Sequence, residues 1–366
     1  MTANSLVQAD TQALRDVLGA IVNTVMQAGG QLHPGIRFVA TDGKLSVHCR
    51  PELGPPDQPL IRLPRELLVP IDGIEWADRE DTLQVLSSLE HLSLVQRDLL
   101  VLHLALYNAA SKLPWAVSHL PALAAPAHAP LLAAVQAIRP NFGKSRPQAA
   151  SAFIQTRVFK LDESRVLMPL IDLLNHHPRG AAFQTDATAM TVMGAQPLGA
   201  GECFARYGGR RDVLDLALHY GYADADTPFA FCAPLVCSVP TLGSLTITGQ
   251  RMRNSHPLDP PLITFGEADL TLSHLACHRQ HPQRLRAALR LAVLGAARRQ
   301  GLSGADAEQV VMHAFEALRE INLALLQALK GAARPLELGE PVAAMLSLAA
   351  TLQADILREV LTLPVP

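Results

Sequence analysis

Charge is scarce in this chain. Charged residues make up 17% of the 366 and nearly cancel, to a net charge of -2, which offers nucleic acid no overall attraction. One local cluster, His278, Arg279, His281, Arg284, Arg286 and Arg290, reads as the solvated face and end of a helix. Long apolar runs are missing too. Hydrophobic residues reach 49%, yet no stretch approaches the roughly 18 apolar residues of a membrane span. The opening Met1-Thr2-Ala3-Asn4-Ser5 has no basic stretch leading into an apolar one, so a soluble protein in the cytoplasm is expected. The five cysteines, Cys49, Cys203, Cys232, Cys237 and Cys277, are odd in number and lack Cys-x-x-Cys spacing. That argues against a disulfide framework and a structural zinc site, and reduced, buried thiols are expected. Cys49, Cys203 and the His-rich segment 276–281 do not assemble metal-ligand spacing, so no metal is expected. No repeat of about 20 to 50 residues stands out. Heptads are absent as well, and the oligomeric state is left open.

What is present is enough length for two or three packed units. Residues 8–29 place Leu14, Val17, Leu18, Ile21, Val22, Val25 and Met26 at helical spacing and stop at Gly29-Gly30. Residues 36–39, 45–49 and 60–63 are short apolar runs divided by Thr41-Asp42-Gly43 and Gly54-Pro55-Pro56-Asp57, which predicts strands. Helical periodicity returns over about residues 75–138, with Leu83, Leu86, Leu89, Leu92, Leu94, Leu99, Leu100, Leu102, Leu104 and Leu106 in succession. Strand-like runs follow at 166–170, 190–193, 202–207 and 229–239, and residues 283–362 are Ala/Leu-rich and read as several helices. Strands interrupted by a helical block, with helices appended, make an α+β arrangement. The expected divisions are 1–74 (an N-terminal helix and a first set of strands), 75–150 (a helical insert), 151–230 (a second set of strands) and 231–366 (mainly helical).

Two segments stand out chemically. In Met168-Pro169-Leu170-Ile171-Asp172-Leu173-Leu174-Asn175-His176-His177 an apolar run ends in an amide and an imidazole, and Glu202-Cys203-Phe204-Ala205-Arg206-Tyr207-Gly208 ends in a tyrosine. A further Tyr-Gly follows in Leu216-Ala217-Leu218-His219-Tyr220-Gly221-Tyr222. An amide both donates and accepts, and a tyrosine hydroxyl can orient a nucleophile. The chain contains only four tyrosines.

These residues resemble the SET-domain methyltransferases, in the branch of the plant Rubisco large-subunit lysine methyltransferase and the actin-histidine methyltransferase. The resemblance rests on Asp172-Leu173-Leu174-Asn175-His176, on the Gly201-Glu202 turn before Tyr207, and on Tyr220-Gly221-Tyr222. Upstream, Thr156-Arg157-Val158-Phe159 stands where the family has Ser-Arg-Ala-Phe. Ser111-Lys112-Leu113-Pro114-Trp115 and Leu120-Pro121 are similar to landmarks of its helical insert. His33-Pro34 and Leu63-Pro64 match its first strands.

The resemblance implies a SET-domain β-fold split by a helical insert, with an all-helical C-terminal substrate-binding domain. It implies S-adenosylmethionine as cofactor and transfer of its methyl group to a lysine, less readily a histidine, of a protein partner held by the C-terminal helices. Tyr207 and Tyr220 would take the catalytic positions. Asn175, His176, Arg157, Gly43 and Leu45 would hold the cofactor, and Thr156, Asp172 and Tyr222 would line the substrate channel. Such transfer is an in-line displacement, so the protein mainly aligns a neutral nucleophile. An apolar channel beside a sulfonium lowers an ammonium pKa by desolvation and like-charge repulsion, and no strong base is required. Asp172 is expected to hold the Asn-His turn rather than act as a base.

The sequence departs from the pattern at Asp42-Gly43-Lys44-Leu45-Ser46-Val47-His48-Cys49, where the family's cofactor loop has Arg-Gly-Leu and small residues after it. One glycine remains for close backbone approach. That departure carries an alternative reading, a catalytically inactive SET-fold protein acting as a partner-binding module. Arg210-Arg211-Asp212 replaces the family's Arg-Ser-Asn, and Asp212 is placed to cap a helix starting near Val213.

Overall fold

The structure is a computed structural model, which describes residues 3–41, 44–50, 58–79, 81–110, 126–144, 148–193, 201–207, 211–250, 257–336 and 341–362. Among them are eight α-helices: α1 (Gln12–Gln27), α2 (Leu94–Ala109), α3 (Ala129–Ile138), α4 (Ala149–Arg157), α5 (Val213–Tyr220), α6 (Pro282–Arg299), α7 (Gly304–Ala333) and α8 (Pro341–Thr362). The chain forms two compact units, residues 1–118 with 147–208 and residues 119–146 with 209–366. Gly43, the Gly54-Pro55-Pro56-Asp57 loop, Ser111 to Trp115 and Leu120-Pro121 lie outside the described residues.

The first unit is built on three small sheets. The largest runs in the order β1 (Val7–Ala9), β3 (Ile36–Thr41), β4 (Lys44–Cys49), β12 (Glu202–Ala205), β9 (Asn175–Ala181). The second runs β10 (Phe183–Thr185), β11 (Ala189–Met193), β5 (Pro59–Pro64), β2 (Gln31–Leu32), and the third β6 (Val69–Pro70), β8 (Ser164–Leu167), β7 (Val158–Leu161). Strand β3 alternates buried and half-buried positions along its length, as a sheet with one face on the core requires. Helix α1 buries the stripe Leu14, Leu18, Ile21, Val22 and Val25, which meets the core that Phe38, Val47, Leu63 and Tyr107 also enter. It is capped by Thr11, whose side chain accepts from Leu14 N at 3.2 Å. It ends before Gly29, whose φ of 90° suits glycine.

Helix α2 starts later than the leucine periodicity suggests. Ser93 and Gln96 close a capping box, with bonds of 3.3 and 3.1 Å. Upstream, Leu83 is held by Asn108 through Oδ1 at 2.9 Å and Nδ2 at 3.0 Å, and Trp76 bridges Val85. Those leucines therefore pack as an irregular segment. The helical block expected over 75–150 is also divided, with α2 in the first unit and α3 in the second.

Among the described residues of the second unit, Pro282–Arg299, Gly304–Ala333 and Pro341–Thr362 are helical, and six strands precede them. Strands β13 (Phe229–Phe231) and β18 (Ala276–His278) pair with each other, and β14 (Leu235–Val239), β15 (Gly243–Ile247), β17 (Asp269–Leu272) and β16 (Ile263–Phe265) form a sheet in that order. The strand signal beyond residue 239 is short: Leu245 and Ile247 face inward with Leu270 and Leu272, between polar alternates. Helix α7 packs against α8, α6 and α3. Asp212 caps α5 through Oδ1, which accepts from Asp215 N at 2.9 Å. Its Oδ2 accepts from Arg139 Nη2 at 2.6 Å and Phe231 N at 2.8 Å, and Arg139 Nε donates to Asp215 Oδ1 at 2.7 Å. Burial works against the Arg139 charge, but the two carboxylates overcome it and raise its pKa above the ordinary value.

Among the described residues no helix is long and apolar enough to cross a membrane, and no group of three or more His, Cys, Asp or Glu is placed to hold a metal. All five cysteines are free thiols, four of them buried.

Arg139→Ala leaves two buried carboxylates without their cation, and a loss of about 3 to 5 kcal/mol in urea unfolding is expected. Arg165→Ala, which breaks a half-exposed pair with Asp72, serves as the contrast, with an expected loss of about 1 kcal/mol or less.

Candidate functional site in the first unit

The Asp172 to His176 loop begins with a turn that its sequence does not favour. Leu170 is buried and has φ 66°, ψ -33°, a left-handed conformation that costs a Cβ-bearing residue about 1 to 3 kcal/mol. A short 3₁₀ turn at Ile171–Leu173 follows, and β9 starts at Asn175.

Three side chains fix this loop from below. Tyr107 of α2, fully buried, donates its hydroxyl to Asp172 Oδ2 at 2.7 Å. His103, one turn earlier, places Nε2 3.4 Å from Asp172 Oδ1, while its Nδ1 lies 2.8 Å from the Leu99 carbonyl. A carbonyl only accepts, so Nδ1 carries a hydrogen. Arg157, at the end of α4, donates through Nη1 to the Asp172 carbonyl at 2.8 Å and lies 5.6 Å from the Tyr107 ring centre. Phe153 packs edge-on against Tyr107 at 5.2 Å. Burial pushes the Tyr107 phenol well above its ordinary pKa; Arg157 opposes the rise and Asp172 adds to it.

From above, β12 lies parallel to β9, with Phe204 paired to Asn175 and Ala205 to Ala181. The approach is close. A Cβ on Gly180 would stand 2.7 Å from the Ala205 carbonyl carbon and 2.9 Å from the His177 oxygen, so only glycine fits there. The crossing places Tyr207 beside His176, ring centres 5.2 Å apart. The Tyr207 amide donates to His176 Nδ1 at 2.9 Å, which puts the proton of a neutral ring on Nε2. The Tyr207 hydroxyl donates to the Leu174 carbonyl. Asn175 donates through Nδ2 to the Leu45 carbonyl at 3.3 Å and to Glu202 Oε1 at 2.7 Å.

The expected residues thus fall into groups. Asn175, His176, Tyr207 and Leu45 are brought together, and Arg157 reaches the same loop from beneath. Asp172 requires correction as a channel residue: its side chain is wholly buried and turned to Tyr107 and His103, because the loop needs its carboxylate inside. The Thr156 hydroxyl donates to the Ala152 carbonyl of its own helix at 2.8 Å. Tyr220 and Tyr222 belong to the second unit. There Tyr220 ends α5 before Gly221 at φ 77°, its ring centre is 6.4 Å from that of Tyr222, and the Arg211 guanidinium lies 5.2 Å from it.

Sequence reasoning missed Tyr107 and His103. The available signal was their spacing of four on the buried face of α2, among Leu99, Leu100 and Leu106. Tyr107→Phe removes one oxygen and leaves Asp172 Oδ2 without its donor, for an expected loss of about 2 kcal/mol in urea unfolding. A phenol whose pKa is raised by folding contributes stability below its ordinary value near 10 and loses it as pH climbs through the folded value. In an ultraviolet titration, the wild type minus Tyr107→Phe difference is therefore expected to show one phenol that ionises only with alkaline unfolding, above pH 10.

No family model and no curated protein sequence matches the chain. Solved structures do. The crystal structure of the SET domain of LSMT bound to methyl-lysine and AdoHcy superposes with a TM-score of 0.50 at 13% identity, covering 96% of this chain and 90% of that one. The same domain bound to lysine and AdoHcy gives 0.46 at 13% identity, covering 95% and 90%. The chain has the fold of the SET domain of LSMT.

Proposed function

We propose that the protein is an S-adenosylmethionine-dependent protein methyltransferase acting on a lysine side chain, and less readily on a histidine. The observation that carries the reading is the Tyr207 hydroxyl bonded to the Leu174 carbonyl, one residue before Asn175-His176. With its proton committed there, the phenol oxygen is an acceptor, suited to orient the N–H of an incoming amine.

The residues present fit the cofactor. Asn175 Oδ1 is an acceptor for an ammonium, and His176 offers an N–H at Nε2 to the adenine or carboxylate. S-adenosylmethionine would supply an electrophilic methyl on a sulfonium; this chain's part is to align the amine and exclude water. Desolvation and the neighbouring positive charge lower the amine's pKa, so that it arrives neutral. The helical part of the second unit is proposed as the surface that holds the protein substrate. The position of those helices after the SET fold supports that assignment.

Isothermal titration of the full chain with S-adenosylhomocysteine tests the cofactor. Saturable binding is expected, weakened at least about tenfold in Asn175→Ala, which removes the amide. Absence of wild-type binding removes the reading. For turnover, transfer of labelled methyl from S-adenosylmethionine into a mixture of cellular proteins is expected to fall about a hundredfold in Tyr207→Phe, while S-adenosylhomocysteine binding stays within about threefold of wild type.

A further inference from the structure

Glu202 heads β12 and is only partly buried, yet it reaches inward to Asn175 Nδ2 at 2.7 Å. An asparagine amide is nearly symmetric in shape, so its orientation is decided by its neighbours. Here the NH₂ edge faces Glu202 Oε1 and the Leu45 carbonyl, both of which only accept. The Leu45 bond is the longer, at 3.3 Å; the Glu202 bond is short and charge-assisted, and dominates. A flipped amide would set its oxygen against a carboxylate. Oδ1 is thereby locked on the opposite edge as an acceptor.

Glu202 stands in a row across the sheet. Glu202 pairs in register with His48 on β4, and His48 with Arg37 on β3. The Ser46 hydroxyl lies 3.1 Å from His48 Nε2. Cross-strand neighbours of this kind limit where a glutamate can swing.

From this arrangement we infer that Glu202 is a positioning residue for the amino-acid end of the methyl donor: by accepting from Asn175 Nδ2 it turns Asn175 Oδ1 to the α-ammonium. The inference rests on the proposed function, in which the Asn175-His176 loop holds that cofactor. An ammonium has donors only, so it is bound by the amide in one orientation and repelled by the other.

The test compares two ligands on the full chain by isothermal titration: S-adenosylhomocysteine, and 5′-methylthioadenosine, which keeps the adenine, ribose and thioether but has neither ammonium nor carboxylate. Glu202→Ala is expected to weaken S-adenosylhomocysteine roughly tenfold to a hundredfold, the range of a hydrogen bond to a charged group, and to leave 5′-methylthioadenosine within about twofold. Glu202→Gln keeps a carbonyl acceptor and is expected to stay within about threefold of wild type for both. Unchanged S-adenosylhomocysteine binding in Glu202→Ala overturns the inference. So does a parallel loss of both ligands, which would mark a disturbed strand, or an equal loss in Glu202→Gln, which would mean that the carboxylate meets the ammonium directly. A wild type that binds neither ligand instead removes the cofactor reading, and this inference with it.

Discussion

The crossing of β9 and β12 is the constraint on which the first unit depends. Two backbone segments distant in sequence lie parallel, so close that Gly180 has no room for a Cβ against the Ala205 carbonyl. Parallel neighbours cannot be joined by a tight turn, and the chain between them supplies β10 and β11 to a second sheet. Once the crossing is made, the polar contacts of the site follow from it. The Tyr207 amide meets His176, its hydroxyl meets the Leu174 carbonyl, and Glu202 meets Asn175. No single segment holds this site. It exists only where the two pass.

Such a crossing needs a rigid floor, and the floor is polar. Asp172 sits under the loop with its carboxylate between Tyr107 and His103 and its carbonyl on Arg157. The Asp172 carboxylate is held through Oδ2, which accepts from Tyr107, while Oδ1 lies 3.4 Å from His103 Nε2 without a hydrogen bond; a left-handed leucine persists only when its surroundings over-determine it. The two features explain each other. Leu170 turns the chain so that Asp172 points down and Asn175 points across, and the partners of Asp172 compensate for that turn.

Much of this was legible in the sequence, for physical reasons that differ by element. Helix α1 and strands β3, β4, β5 and β11 show their periods plainly because each has one face on the core. The helix cap at Asp212 could be read because capping is local chemistry. Asn175, His176 and Tyr207 were singled out by their type and position at the ends of apolar runs. Tyr107 and His103 were hidden because a polar residue on a leucine-rich helix looks the same whether it meets solvent or a buried carboxylate. Asp172 was read both as a holder of the Asn-His turn and as a channel residue; its partners come from α2, far upstream, and no spacing reveals them. The run from Leu83 to Leu92 imitated a helix, and only the Ser93 cap shows where α2 begins.

The balance of donors and acceptors around the loop narrows the chemistry that the proposed function can contain. The Tyr207 hydroxyl donates to the Leu174 carbonyl, Asn175 is locked with its NH₂ edge inward, and the Leu45 carbonyl and Glu202 accept. The Arg157 guanidinium donates to the Asp172 backbone beneath the loop. Surroundings made mostly of acceptors favour a cationic ligand such as a sulfonium that also carries an ammonium. Within the proposed function, neither His103 nor His176 is a ready base for a reluctant nucleophile. His103 is sealed from solvent between Leu99 and Asp172, and His176 already accepts the Tyr207 amide at Nδ1. An alcohol or a backbone amide would need its proton pulled away during attack. A lysine amine needs only to be desolvated beside a positive charge, and a neutral imidazole needs less. Within the proposed function, the contacts that lock the loop therefore suit nitrogen nucleophiles that enter already neutral.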